Sequence, residues 1–128
     1  MAAQLNHTIV HSINPEASAA FMADILGLAP PKPFSHFMVV EAANGVSLDH
    51  MATQEVIRPQ HYAFLVSEEE FDEIFARIKD RKLPYWADPM GREKGRINTR
   101  DGGRGVYFKD PNGHHLEILT RPYGSGAL

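Results

Sequence analysis

The sequence predicts an α+β protein built from two similar halves, and three observations carry that expectation. Each half contains one well-signalled helix preceded by a short apolar strand. Alternating apolar strands follow each helix, and each half places a His on its first strand and an acid on its last.

The first half opens with a strand over residues 5–11. Asn14-Pro15 then starts a helix, with a capping side chain followed by proline at the first helical position. Ala17, Phe21 and Ile25 recur at helical spacing, and Gly27 provides a stop. Strands are expected over 34–40 and 46–51, separated by the Asn44-Gly45 turn.

The second half begins with a strand over 61–66. Ser67, with Glu70 three residues on, forms a capping box, and Phe71, Ile74, Phe75 and Ile78 give the helix its apolar stripe. A short strand near 85–87 follows, then strands over 105–109 and 114–120 around the Pro111-Asn112-Gly113 turn. Residues 88–103, rich in Gly, Arg and Asp, read as a long mobile loop of the kind that carries function.

The duplication extends to chemistry. Leu5-Asn6-His7 stands where Pro59-Gln60-His61 stands in the second half, and Gly45-Val46-Ser47-Leu48-Asp49 matches Gly113-His114-His115-Leu116-Glu117. Strand alternation puts His7, Ile9 and His11 on one face, His61 with Ala63 and Leu65, and Glu117 with His115. If the more apolar faces lie under the helices, His7, His61, Glu117 and Asp49 turn to a common interior side. His36, His50 and His114 are expected on outer faces. Two imidazoles and a carboxylate suit a divalent ion that keeps open positions, and Asp49 stands undecided between a fourth ligand and a solvated strand residue.

Composition bounds the alternatives. The 128 residues suit one domain, here expected over 1–128 with modules at about 4–52 and 59–121. There is no cysteine, which excludes disulfides and thiolate metal sites. No basic run points to nucleic acid, and no apolar stretch has the length of a membrane span. With no signal peptide evident at the N-terminus, a cytoplasmic protein is expected.

The whole pattern, from Leu5-Asn6-His7-Thr8 through Gly105-Val106-Tyr107-Phe108-Lys109-Asp110-Pro111-Asn112-Gly113 to Glu117, resembles the vicinal oxygen chelate superfamily. That superfamily includes glyoxalase I, extradiol dioxygenases, epimerases and the fosfomycin- and bleomycin-resistance proteins. The resemblance implies two βαβββ modules forming an incomplete eight-stranded barrel, and commonly a homodimer. It implies that His7, His61 and Glu117 ligate a divalent ion (Fe2+, Mn2+, Ni2+, Co2+ or Zn2+), with Asp49 at the position of a fourth ligand in lyase and epimerase members. Tyr107, ten residues before Glu117, matches a tyrosine of the extradiol dioxygenases, whereas 95–99 lacks their catalytic loop histidine. The function so implied is a metal-dependent enzyme for a small, oxygen-chelating substrate, dioxygenase-type first and glyoxalase-type lyase or isomerase second. A metal-free protein that binds a drug or metabolite is the third reading. Tyr107 and His115 are the candidate proton-handling groups, while Arg96, Arg100 and Arg104 could clamp an anionic substrate.

Overall fold

The computed structural model describes residues 2–126, which form two compact units with their boundary in the chain between Arg58 and Pro59. Among the described residues, no helix is long and apolar enough to cross a membrane.

The first unit runs β1 (His7–Ser12), α1 (Pro15–Leu26), β2 (Lys32–Phe34), β3 (Phe37–Glu41) and β4 (Ser47–Ala52). Its sheet has the order β1-β4-β3-β2, with β1 and β4 parallel and the other pairs antiparallel. The expected strand over 34–40 is in fact a tight hairpin of β2 and β3. Ser35 adopts a φ of 55°, which turns the chain and allows Phe34 to pair with Phe37.

Helix α1 starts and stops where its sequence signals. The Asn14 side chain accepts from the Ala17 N–H at 3.1 Å, and Gly27 closes the helix in the left-handed region at φ 70°. That closure leaves the Leu28 N–H donating to the Ala23 carbonyl at 2.8 Å. The buried face differs from the expected one. Ala17 is exposed and Phe21 only half-buried, whereas Ser18, Ala19, Met22, Ala23, Ile25 and Leu26 are buried. Alanines and large apolar residues surround this helix, so its pattern fixes the helical period but not the phase. The phase is set by contact with the sheet, where Ser18 Oγ meets His50 Nδ1 at 3.1 Å.

The second unit repeats the plan: β5 (His61–Leu65), α2 (Glu68–Asp80), β6 (Tyr85–Trp86), β7 (Gly105–Lys109) and β8 (His115–Leu119), in sheet order β5-β8-β7-β6. Both arms of the Ser67/Glu70 capping box form, at 3.1 and 2.7 Å, a cap of about 1 kcal/mol. Phe71, Ile74 and Ile78 are buried on α2, as are Val106, Phe108, Leu116 and Ile118 in the sheet. Each such side chain contributes about 1.5–3 kcal/mol by leaving water. Arg104 ties α2 to the start of β7, pairing with Glu68 at 2.7 Å and Asp72 at 2.8 Å and lying 4.4 Å over the Phe71 ring.

The architecture is therefore α+β, with two βαβββ modules, and the duplication is exact in register. Ile9 pairs with Asp49 in the first unit as Ala63 pairs with Glu117 in the second, with His7 and His61 each two positions earlier on their strands. His36 is exposed as expected. His50 and His114 share the faces opposite Asp49 and Glu117, but they are fully buried and not at an outer surface. A polar ring tolerates that site because it is bonded: His50 to Ser18, and His114 Nδ1 to the Gln60 N–H at 3.0 Å.

Candidate functional site

In the second unit the pleat of β8 sends Leu116 and Ile118 to one face and Glu117 to the other, so a carboxylate arrives in an apolar strand at 1% exposure. A buried carboxylate is stable only when its oxygens are bonded. Both are. His61 Nε2 lies 3.0 Å from Glu117 Oε1, and the Tyr123 hydroxyl donates to Glu117 Oε2. Tyr107 stands directly opposite Glu117 on β7, and its ring centroid lies 5.9 Å from that of His61. The His61 side chain is 47% exposed, so the pair is open to solvent on the imidazole side.

A chain of hydrogen bonds extends from this pair. Arg100 Nη1 donates to the Tyr107 hydroxyl at 3.1 Å, and the Tyr107 and Tyr123 hydroxyls are 2.7 Å apart. Burial first, and then its bond to Glu117, push the Tyr123 hydroxyl well above the usual phenol range. The Tyr107 bond raises the Arg100 guanidinium further, against the opposing effect of burial.

His115 is paired in register with His61 and with Lys109. Burial, followed by the positive charge of Lys109, pulls its imidazole below the usual histidine value, so it is neutral near pH 7. Beside it opens a cavity of about 260 Å³ lined by Trp86, Asp88, Met90, Tyr107, Lys109 and His115. The segment expected as a mobile loop is extensively hydrogen-bonded. Asp88 accepts from the Arg92 and Glu93 N–H groups, Asn98 pairs with Gly105 through the backbone, and a 3-10 turn forms at Arg100–Gly102.

The first unit holds the other candidates. His7 and Asp49 share one sheet face, two register positions apart. His7 Nδ1 lies 2.7 Å from Asn6 Oδ1, an acceptor, so Nδ1 is the donor of this pair. Asp49 is half-buried in mid-strand, not on a strand end. Its Oδ1 is enclosed and has no hydrogen-bond partner among the described residues. The structure thus brings His61, Glu117, Tyr107 and His115 together in one unit and His7 with Asp49 in the other. Among the described residues, no group of three or more metal-ligating side chains is assembled.

Of the three arginines, Arg104 is committed to Glu68 and Asp72, Arg100 faces Tyr107, and Arg96 is exposed. The expectation of an anion clamp therefore does not hold for Arg104, because two carboxylates already neutralise it. Tyr123 is the residue that the sequence did not reveal. It lies past the last strand, and it reaches Glu117 because Asp101 accepts from the Gly124 and Gly126 N–H groups at 3.3 and 3.0 Å.

Residues 4–118 match the family described as the Glyoxalase/Bleomycin resistance protein/Dioxygenase superfamily. Among solved structures, Oxidase ChaP-H1 is 66% identical with a TM-score of 0.95, covering 96% of this chain and 99% of that one. Oxidase ChaP-H2 is 61% identical with a TM-score of 0.96, covering 99% and 100%. A curated relative, "Glutathione transferase FosA" of Serratia marcescens, is 26% identical over 124 residues, 92% of this chain and 81% of its own length.

Proposed function

Because the chain belongs to the Glyoxalase/Bleomycin resistance protein/Dioxygenase superfamily, which includes metal-dependent enzymes, we propose that it is a divalent-metal-dependent oxidase or dioxygenase acting on a small organic molecule with adjacent oxygens. The names of the two relatives above 60% identity favour the oxidative class over the other reactions of the superfamily. The observation that carries the reading is the buried Glu117 carboxylate with its Oε1 set 3.0 Å from His61 Nε2. An imidazole nitrogen and a carboxylate oxygen set this close are a donor pair of the kind that would hold a divalent first-row ion.

His61 and Glu117 hold the ion in this proposal, and His7 is the third ligand that the family resemblance implies. When bound, the ion supplies Lewis acidity to the oxygens of the substrate. The second-unit cavity receives the substrate, neutral His115 accepts a proton from it, and Tyr107 orients it. In this proposal the protein works in the cytoplasm, as a homodimer of the kind the resemblance implies.

One observation favours a second reading. The enclosed Asp49 Oδ1 has no hydrogen-bond partner among the described residues, and a buried carboxylate oxygen left unbonded is costly. Asp49 as a fourth ligand would relieve that cost and give the more closed site of a lyase or isomerase.

The test is anaerobic reconstitution with Fe(II) or Mn(II), followed by oxygen-electrode screening of catechols and α-hydroxyketones. Wild-type protein should bind the ion, and oxygen uptake should depend on it and fall away in His7→Ala. Metal binding without oxygen uptake, accompanied by turnover of an α-hydroxyketone, would favour the second reading. A protein that takes up neither ion would be a metal-free binder.

A further inference from the structure

The last strand of the second unit is followed by a short segment, residues 121–126, that returns to the sheet. Asp101 anchors it, and a hydrogen bond inside the segment braces it. Asp101, at φ 57°, accepts from the backbone N–H groups of Gly124 and Gly126, and Arg121 donates to the Ser125 carbonyl at 3.1 Å. A Cβ at Gly126 would lie 2.8 Å from Asp101 Oδ1, so a side chain there would push on the carboxylate that anchors the segment. The segment has little burial of its own, and Tyr123 is 57% exposed, yet its hydroxyl reaches a carboxylate that is 1% exposed.

The proton inventory of the network is closed. A carboxylate only accepts, so the single Tyr123 proton is committed to Glu117 Oε2. The Tyr123 oxygen must then accept from the Tyr107 hydroxyl, and the Tyr107 oxygen from Arg100. The chain therefore runs one way, Arg100 to Tyr107 to Tyr123 to Glu117, and ends on the oxygen that does not face His61.

We propose that Tyr123 is a positioning residue. By occupying Glu117 Oε2 it holds the carboxylate so that only Oε1 is presented beside His61, and Asp101 acts through the 121–126 segment to keep Tyr123 there. The inference rests on the reading of His61 and Glu117 as metal ligands. Its consequence is one-oxygen attachment of Glu117. Without the tyrosine hydroxyl, Oε2 is released and the carboxylate can rotate or attach through both oxygens, an arrangement favoured by larger, more flexible ions.

The experiment titrates metal-free full-length protein with Mn2+ and, separately, with Co2+, following the visible Co2+ spectrum and the unfolding temperature. Wild type, Tyr123→Phe, Asp101→Ala and Glu117→Ala are compared. Tyr123→Phe should weaken binding roughly 10- to 100-fold and change the Co2+ band, with far-UV circular dichroism unchanged. Asp101→Ala, which retains the hydroxyl but unfastens its segment, should move both readouts in the same direction by less. Wild-type affinity and spectrum in Tyr123→Phe, alongside lost binding in Glu117→Ala, would overturn the positioning role and leave the metal reading intact. Failure of wild type to bind either ion would overturn both.

Discussion

Gly105 opens the strand that carries Tyr107, and its replacement by alanine tests how the site is held. Its backbone is not in the left-handed region, so the constraint is one of space. A Cβ there would lie 2.9 Å from Asn98 Oδ1, 3.0 Å from Nδ2 and 3.3 Å from Cγ. Asn98 is not free to swing away, because its Nδ2 donates to the Ala87 carbonyl at 2.8 Å and its Oδ1 accepts from the Arg100 N–H at 3.2 Å. Ala87 is only 3% exposed, so its carbonyl would lose a partner where little water reaches. That loss costs about 1–3 kcal/mol, and replacing a strand glycine by alanine returns roughly 0.5–1 kcal/mol, leaving a net loss centred on about 1.3 kcal/mol. With an unfolding entropy of about 2.1 cal/mol/K per residue over 128 residues, Gly105→Ala should lower Tm by roughly 5 °C. Circular dichroism melts of Gly105→Ala, Asn98→Ala and the double variant measure this. Once Asn98 is truncated the added methyl has nothing to displace, so the double variant should melt no lower than Asn98→Ala. A Gly105→Ala protein as stable as wild type, or a double variant losing the sum of both effects, would refute the steric argument.

Asn6→Ala should release the His7 ring from its fixed tautomer. Two-dimensional ¹⁵N spectra should show the proton on Nδ1 in wild type and a redistribution toward Nε2 in the variant, and an unchanged tautomer would remove Asn6 from the account. At Asp88, burial raises the carboxyl pKa, but the Glu93 and Arg92 N–H bonds outweigh it and hold the group below its ordinary value. The stabilisation it provides to the 88–93 turn is therefore complete above the ordinary aspartate pKa and fades as pH falls through the lower folded value. A ¹³C carboxyl titration should place Asp88 below a typical aspartate, and a midpoint at or above that of a typical aspartate would contradict the assignment.

The parts of the fold encoded by local chemistry were legible in the sequence. Asn14-Pro15, Gly27 and the Ser67/Glu70 box mark helix ends through bonds made within a few residues, and these form as expected. The repeated His and acid were legible because a strand has a two-residue period, so the matched spacing carries through to the matched register of Ile9 with Asp49 and Ala63 with Glu117. What escaped is what distant contacts decide. The face that α1 buries depends on its sheet, since alanine fits on either side. His50 and His114 are buried because partners elsewhere in the chain bond them. Arg104 looks like any loop arginine until Glu68 and Asp72 are set beside it. Tyr123 carries no local signal, because its place depends on Asp101, twenty-two residues earlier.

The most direct test of the central claim is metal stoichiometry. Wild type, His61→Ala and Glu117→Ala would be reconstituted anaerobically with Fe(II) or Mn(II), desalted and assayed by elemental analysis. The account predicts about one ion per chain in wild type and near-complete loss in both variants, since each removes one of the two donors set 3.0 Å apart. Stoichiometric metal retained by Glu117→Ala, or none in wild type, would contradict it.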